Sequence, residues 1–297
     1  MRSQRIKALW FFRGLWLLIA IANPWDLLAR HSNPVNMVLQ TLGWSLWAIG
    51  AIGIFAVLPA GLTAIRLITP MMFVASVAAL PHALSHDLSL LLTFFAIFIT
   101  ALCEIALLLP SINNSMVQGG AYGNENRLAL RTPVPYLVPA VVTWALTAAS
   151  TIGAPLLLAS KQWIIGGGVA VIALGLLSVV PQRMHRLSRR WLVIVPSGIV
   201  IHDHLVLAET MMLTTSNIAD VVLSDTPATE ADLTGGVFGS RLIITLRESE
   251  KVVISAMTMK LLKSSQGLHV QSFAIAPSSP THSLQQIQNR ISRSTNE

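Results

Sequence analysis

A glutamate inside an apolar run, and two histidines four residues apart beside an aspartate, are the residues of this chain best suited to chemistry. Glu104 stands in the segment from Leu90 to about Leu109. An ionisable group there is costly and marks an ion or proton path, unless it is protonated and hydrogen-bonded for packing. Its partner must come from another helix, and Arg13 and His82 are the candidates. The run PHALSHD, Pro81 to Asp87, puts His82 and His86 on one helical face with Asp87 directly after them. Two histidines at that spacing can ligate one metal ion. His31 and Asp26 could complete an outer-face site if the first outer loop folds over, although Pro81 and Ser85 favour a helix end with solvated polar residues. Further on, His202 and His204 flank Asp203, and a strand would turn both rings to one face. LTGGVFGSR, Leu233 to Arg241, reads either as an anion cup or as a flexible strand-to-strand loop. No carboxylate pair, Ser/His/Asp set or Cys/His pair with recognisable spacing accompanies these residues. The single cysteine, Cys103, excludes an intramolecular disulfide and a Cys-based zinc site within one chain.

The elements that must position these groups follow from hydropathy. The chain is 53% hydrophobic and 11% charged, with a mean hydropathy of +0.65; an ordinary soluble domain carries about 25% charged residues. Apolar segments run from Ala8 to about Ala22, then about Val38–Leu58, Leu67–Leu84, Leu90–Leu109, Tyr136–Leu158 and Trp163–Val180. That predicts six membrane-spanning helices. The basic start and Ala20-Ile21-Ala22 resemble a signal peptide, but Arg13 interrupts its core and more spans follow, so an uncleaved first span is expected. With the N-terminus inside, the inner side holds Arg2, Arg5, Lys7, Arg66, Arg127, Arg131 and the junction arginines Arg183, Arg186, Arg189 and Arg190, against Arg30 and Lys161 outside. Lys and Arg are retained on the cytoplasmic side, so both termini are expected there, at the plasma membrane. The tryptophans lie mostly near span ends and read as interfacial anchors. Gly50 with Gly53, and the run Gly166-Gly167-Gly168, read as helix-packing surfaces.

After PQRMHRLSRRW, Pro181 to Trp191, the pattern changes. WLVIV, Pro196-Ser197-Gly198 and IVIHDH read as a hairpin. Strands are expected at Thr210–Thr214, Ile218–Leu223, Arg241–Arg247, Lys251–Ser255 and His269–Ala274, with Glu248-Ser249-Glu250 closing a second hairpin. A helix should follow Pro280, with Leu284, Ile287 and Ile291 on its apolar face. About seven short strands and one helix fit a small β-rich barrel of the pleckstrin-homology type. The expected domains are therefore residues 1–182 as the six-span part, 183–190 as a basic junction, 191–292 as the cytoplasmic β-domain and 293–297 as a disordered tail. The inner loop from Ser111 to Pro135 is long and turn-rich, and reads as a docking surface.

Charge sorts the partners. Through Arg190 there are 13 Lys and Arg against 4 Asp and Glu; after it there are 7 against 9. The basic excess belongs to the membrane loops, and the faintly acidic β-domain lacks the footprint of a nucleic-acid binder. Only Lys260-Leu261-Leu262-Lys263 is locally basic, so a protein partner, or the chain's own inner loop, is favoured over lipid headgroups. RRWLVIVPSGIVIHDHLVLAET, LTGG, AYGNENRLALRTPVPYLVPA and GAPLLLASKQW together resemble a group of actinobacterial integral membrane proteins, over about Gly119 to Arg247. That resemblance implies several spans and a C-terminal domain similar to bacterial pleckstrin-homology-like modules; it implies no activity, cofactor or site residue. The expected function is a membrane-anchored adaptor or sensor presenting its cytoplasmic domain to a protein partner, with the lipid bilayer as surroundings. The alternatives are a small transporter or channel component using Glu104, and a membrane enzyme with an outer-face metal site at His82, His86 and Asp87.

Overall fold

The structure, a computed structural model, describes residues 2–28, 32–84, 87–226, 231–256, 258–259 and 268–296 of the chain. Its helices in order are α1 (Arg2–Ala22), α2 (Pro24–Leu28), α3 (Asn33–Ala56), α4 (Pro59–Ala78), α5 (Leu80–Ala83), α6 (Asp87–Leu108), α7 (Pro110–Gln118), α8 (Val134–Ala159) and α9 (Trp163–Ser188). Six are long and apolar enough to cross a membrane: α1 continued by α2, then α3, α4, α6, α8 and α9. Lipid offers backbone groups no hydrogen-bond partner, so apolar runs of this length resolve as helices. The third begins eight residues earlier than expected, because Pro59 starts it where a missing N–H costs nothing. Arg66 consequently lies within α4 rather than in a loop, and its Nη2 donates to Asn113 Oδ1 at 3.0 Å. The last span continues through Pro181 to Ser188, so Arg183 and Arg186 are helical residues rather than a separate junction.

Packing in this membrane unit is built from glycines facing tryptophans and glycines facing glycines. A Cβ at Gly61 would stand 2.1 Å from the Gly53 carbonyl oxygen, and one at Gly50 would stand 2.1 Å from the Trp16 ring. Helices α3 and α4 thus approach as closely as backbone permits. Trp16 is fully buried, and it and Trp47 donate their indole N–H groups to each other's carbonyls at 3.1 and 3.0 Å, which locks α1 to α3. Trp25 is buried too, so these two tryptophans are core rather than interfacial anchors; Trp10 and Trp163 are exposed near the starts of their spans, whereas Trp44, mid-way along α3, packs edge-on with Trp25 and Trp47. Of the run Gly166-Gly167-Gly168, a Cβ on Gly166 would stand 2.9 Å from the Leu158 side chain, whereas nothing in the described chain lies within 4 Å of one on Gly167 or Gly168, so the run packs inside the chain at its first residue.

The β-rich unit contains β1 (Asn126–Ala129), β2 (Trp191–Val195), β3 (Gly198–His202), β4 (Met211–Thr214), β5 (Ile218–Ser224), β6 (Ala231–Asp232), β7 (Arg241–Val252) and β8 (Leu268–Ile275), followed by α10 (Pro280–Asn296). They form two four-stranded sheets, ordered β1-β2-β3-β4 and β5-β7-β8-β6. The Pro196-Ser197 turn closes the first hairpin in register, Val195 opposite Gly198. The second expected hairpin is absent: β7 runs unbroken through Glu248-Ser249-Glu250, and its pairing with β8 shifts register between Thr245 and Glu250. A two-residue hairpin needs residues that accept positive φ, and this tripeptide has none. The helix after Pro280 forms as expected, with Ile287 fully buried and Leu284 and Ile291 packed against the same core as Leu192, Ile199, Leu242 and Phe273. It continues to Asn296, past the expected start of a disordered tail.

The first strand of this unit comes from the long loop between the fourth and fifth spans. Asn126 to Ala129 pair antiparallel with Ile194 to Trp191, and Leu128 is buried in the core of the β-rich unit. The chain divides accordingly into Met1–Met116 with Ala140–His185, and Val117–Pro139 with Arg186–Glu297. The loop is part of the β-rich unit rather than a surface for it to dock on.

Candidate functional site

The four junction arginines do not share one fate. Arg183, Arg186 and Arg189 are exposed, as a solvated basic cluster should be. Arg190 is buried at 2% exposure, where its Nε and Nη2 donate to Asp203 Oδ1 and Oδ2 at 2.6 and 2.5 Å. Its Nη1 donates to the Arg131 carbonyl at 2.6 Å. Asp203 Oδ1 also accepts the N–H groups of Leu205 and Val206, which holds the turn after β3. Planar, bidentate pairing of this kind is what the guanidinium fork does best. Arg190 therefore joins the start of β2, the end of β3 and the segment after β1.

Beside it, β1, β2 and β3 line up a stack of rings. Arg127 sits 4.9 Å above the Trp191 ring, Trp191 stacks on His202 at 5.2 Å, and His202 meets His204 at 5.7 Å. Cross-strand pairing of Trp191 with His202 produces the middle contact. Arg127 also pairs with Glu125 at 2.7 Å. Burial lowers the proton affinity of both histidines, helped at His202 by Arg189 and Arg127 and at His204 by His202, with Asp203 opposing in each case. Both rings are thus held neutral near pH 7. His202 Nδ1 lies 3.1 Å from Thr210 Oγ1, and His204 Nε2 is buried with no hydrogen-bond partner among the described residues. No group of three His, Cys, Asp or Glu side chains able to hold a metal occurs among the described residues.

The glycine-rich loop between β6 and β7 wraps a different arginine. Gly235, Gly236 and Gly239 all have positive φ, and a Cβ on Gly235 would stand 2.6 Å from Pro133 Cβ, so the chain turn and the close approach both require glycine there. Arg131 donates from Nη1 to the Phe238 carbonyl at 2.7 Å and from Nη2 to the Ser240 carbonyl. Its Nε, and that of Arg241 at the start of β7, are buried without a hydrogen-bond partner among the described residues. Burial first, and the nearby charge of Arg241 second, push the Arg131 guanidinium below its usual value. Sequence spacing singled out the loop but not Arg131, which lies more than a hundred residues away in sequence and arrives by strand pairing: its N–H bonds the Ala276 carbonyl at 2.9 Å.

In the membrane unit, Glu104 lies one turn from the C-terminal end of α6 rather than mid-span, and its Oε1 is buried with no partner among the described residues. Of the two expected partners, Arg13 does not pair with it, and the side chain of His82 lies outside the described residues. Arg13 is held between the rings of Trp10 and Phe55, at 4.6 and 4.8 Å. His86 and His31 lie outside the described residues, as do the side chains of His82 and Asp87, so the outer histidine group has no described geometry. A cavity of about 540 Å³ lies among α3, α4, α8 and α9, lined by apolar residues such as Leu46, Ile49, Leu67 and Met71. Its polar end carries Thr63, whose Oγ1 lies 2.9 Å from His185 Nδ1. Comparison with protein-family models, with curated proteins and with solved structures gives no match.

Proposed function

We propose that this chain is a membrane-anchored adaptor, in which six spans hold a pleckstrin-homology-like β-domain at the cytoplasmic face of the plasma membrane for a protein partner. The observation that carries this reading is the split of the β-rich unit across the sequence. The chain passes between the two units three times, after Met116, after Pro139 and after His185. A domain tied in this way by three chain crossings, with one core strand supplied from between two spans, is built to stay at the bilayer. Two largely antiparallel sheets closed by one C-terminal helix support the pleckstrin-homology-like assignment, as does the resemblance to the actinobacterial group. The inner-side excess of Lys and Arg supports the orientation. The edge strand β5 leaves Val222 and Leu223 exposed, which is the kind of apolar surface a protein partner covers.

The test is cross-linking in native membranes, with full-length chain compared against full-length chain carrying Val222→Lys and Leu223→Lys. Loss of specific cross-linked proteins from the variant supports the adaptor. An identical set from both chains refutes a partner at this edge.

A second reading has one observation in its favour. The buried Oε1 of Glu104, without a partner among the described residues, suits a transport or channel component. Glu104→Gln in reconstituted vesicles would abolish an ion or proton flux carried by that group, whereas an adaptor would lose at most a little stability.

A further inference from the structure

Two guanidinium groups share the rim of the glycine-rich loop without a carboxylate paired to either among the described residues. Arg131 bonds the Ala276 carbonyl through its N–H, and Leu242 pairs with Ile275, which sets Arg241 beside that same Ala276. Both side chains are half-buried. The ion pairs among the described residues are Arg127–Glu125 and Arg190–Asp203, so neither Arg131 nor Arg241 has one. Of the nearby acids among the described residues, Asp232 Oδ1 accepts the Thr234 N–H, and exposed Asp225, next to the Ser224 that faces Arg241, belongs to neither of those ion pairs. Like charges brought together with partial desolvation raise each other's cost, and an anion removes it. Arg131 gives one N–H of each Nη to a loop carbonyl, which orients its fork in advance and leaves the other N–H of each without a partner among the described residues; Arg241 makes no side-chain hydrogen bond among them, and the Nε of both is buried.

Position supplies the chemical class. Arg131 precedes Val134, the first residue of the membrane-spanning α8, by three residues, which ties the pair along the chain to the start of a span. Phe238, at the tip of the loop whose carbonyl Arg131 holds, is 83% exposed. A bare aromatic ring beside paired cations at the start of a span matches an amphiphile with an anionic head and an apolar body. A soluble anion would use the arginines and leave Phe238 without purpose. We propose that Arg131 and Arg241 bind the phosphate of one anionic phospholipid headgroup, with Phe238 inserted into the acyl boundary beside it. This is a site for a single headgroup. It does not need the broad basic surface that the β-rich unit lacks, and it goes beyond the adaptor reading.

The test is native mass spectrometry of the full chain released from detergent with added phosphatidylglycerol or phosphatidylcholine, and with inorganic phosphate in a parallel series. Wild type should retain phosphatidylglycerol preferentially. Arg241→Gln, which breaks no hydrogen bond seen in the fold, should lower that retention about fivefold without lowering the unfolding midpoint. Arg241→Lys should fall between the two, because it keeps the charge and loses the fork. Retention by Arg241→Gln equal to wild type overturns the proposal. So does competition by inorganic phosphate with no preference between the two lipids, which would mark a site for soluble phosphorylated ligands. Unchanged retention in Phe238→Ser overturns the insertion of the ring.

Discussion

Arg190 and Arg241 are both arginines at the start of a strand in the same β-rich unit, and they are treated in opposite ways. Arg190 is buried with every donor group aimed at an acceptor: two bonds to the Asp203 carboxylate and one to the Arg131 carbonyl. Arg241 has a neighbour of like charge and an unused Nε–H. A buried charge is tolerated when its partners are complete, and then it fixes geometry; a half-buried charge left incomplete is a place for something to bind. A basic cluster in the sequence carries no mark that separates the two. The distinction exists only once β2, β3 and the segment after β1 meet.

The largest effect should come from breaking the complete member of this comparison. Asp203→Ala leaves the Arg190 guanidinium buried without a counter-charge and frees the N–H groups of Leu205 and Val206. A loss of about 3–5 kcal/mol is expected, read as a lowered unfolding midpoint for the β-rich unit. Arg190→Met combined with Asp203→Leu removes both charges and should recover a large part of that loss. If the double variant is as unstable as the single one, the ion pair is not what holds this corner, and the contrast with Arg241 fails.

Leu128→Ala tests whether the loop strand is a working member of the core. Leu128 is fully buried among residues of β2, β3 and the second sheet, so a cost of about 2–5 kcal/mol is expected. Hydrogen exchange should report it at Leu192 and Ile194, across the β1–β2 ladder, more than in α4. Faster exchange confined to residues 126–129 would mean that the strand is an ornament on a unit complete without it. A matched variant in the membrane unit is Gly61→Val, where the new side chain meets the Gly53 carbonyl. Overpacking of about 1–3 kcal/mol is expected there, with no change in exchange at Leu192.

The spans were legible because about 20 apolar residues in a row have few alternatives to a membrane helix. The first hairpin and the final helix were legible because Pro196-Ser197-Gly198 and the spacing of Leu284, Ile287 and Ile291 are local signals. What escaped was non-local. Asn126-Arg127-Leu128-Ala129 is too short to show alternation, and its partner strand lies more than sixty residues later. Glu248-Ser249-Glu250 looked like a turn because it is polar, yet polarity at an exposed stretch of strand is equally natural, and only turn chemistry discriminates. Of the candidate site, the glycine loop was visible and one of its arginines was not. Glu104 was visible as an anomaly, but Arg13, one of the partners expected for it, finds two aromatic faces instead.

The smallest expected effect concerns the ring stack beside Arg190, and it sharpens the comparison by adding a group whose charge can be switched. His202 and His204 both have folded-state proton affinities below the ordinary value near 6.5, chiefly through burial. The unfolded chain therefore binds protons that the folded chain resists. The stability these neutral rings contribute is complete above about pH 6.5 and is lost as the pH falls below it towards their folded values. An unfolding midpoint that declines between about pH 7 and pH 5.5, with a shallower decline in a chain carrying His202→Asn and His204→Asn, is the expected result. Protonating either ring adds positive charge beside Arg189, and His204 also feels Arg190. If acid weakens phosphatidylglycerol retention in wild type and in the histidine double variant alike, the ring stack does not act on the arginine pair; weakening seen only with the histidines present would couple them.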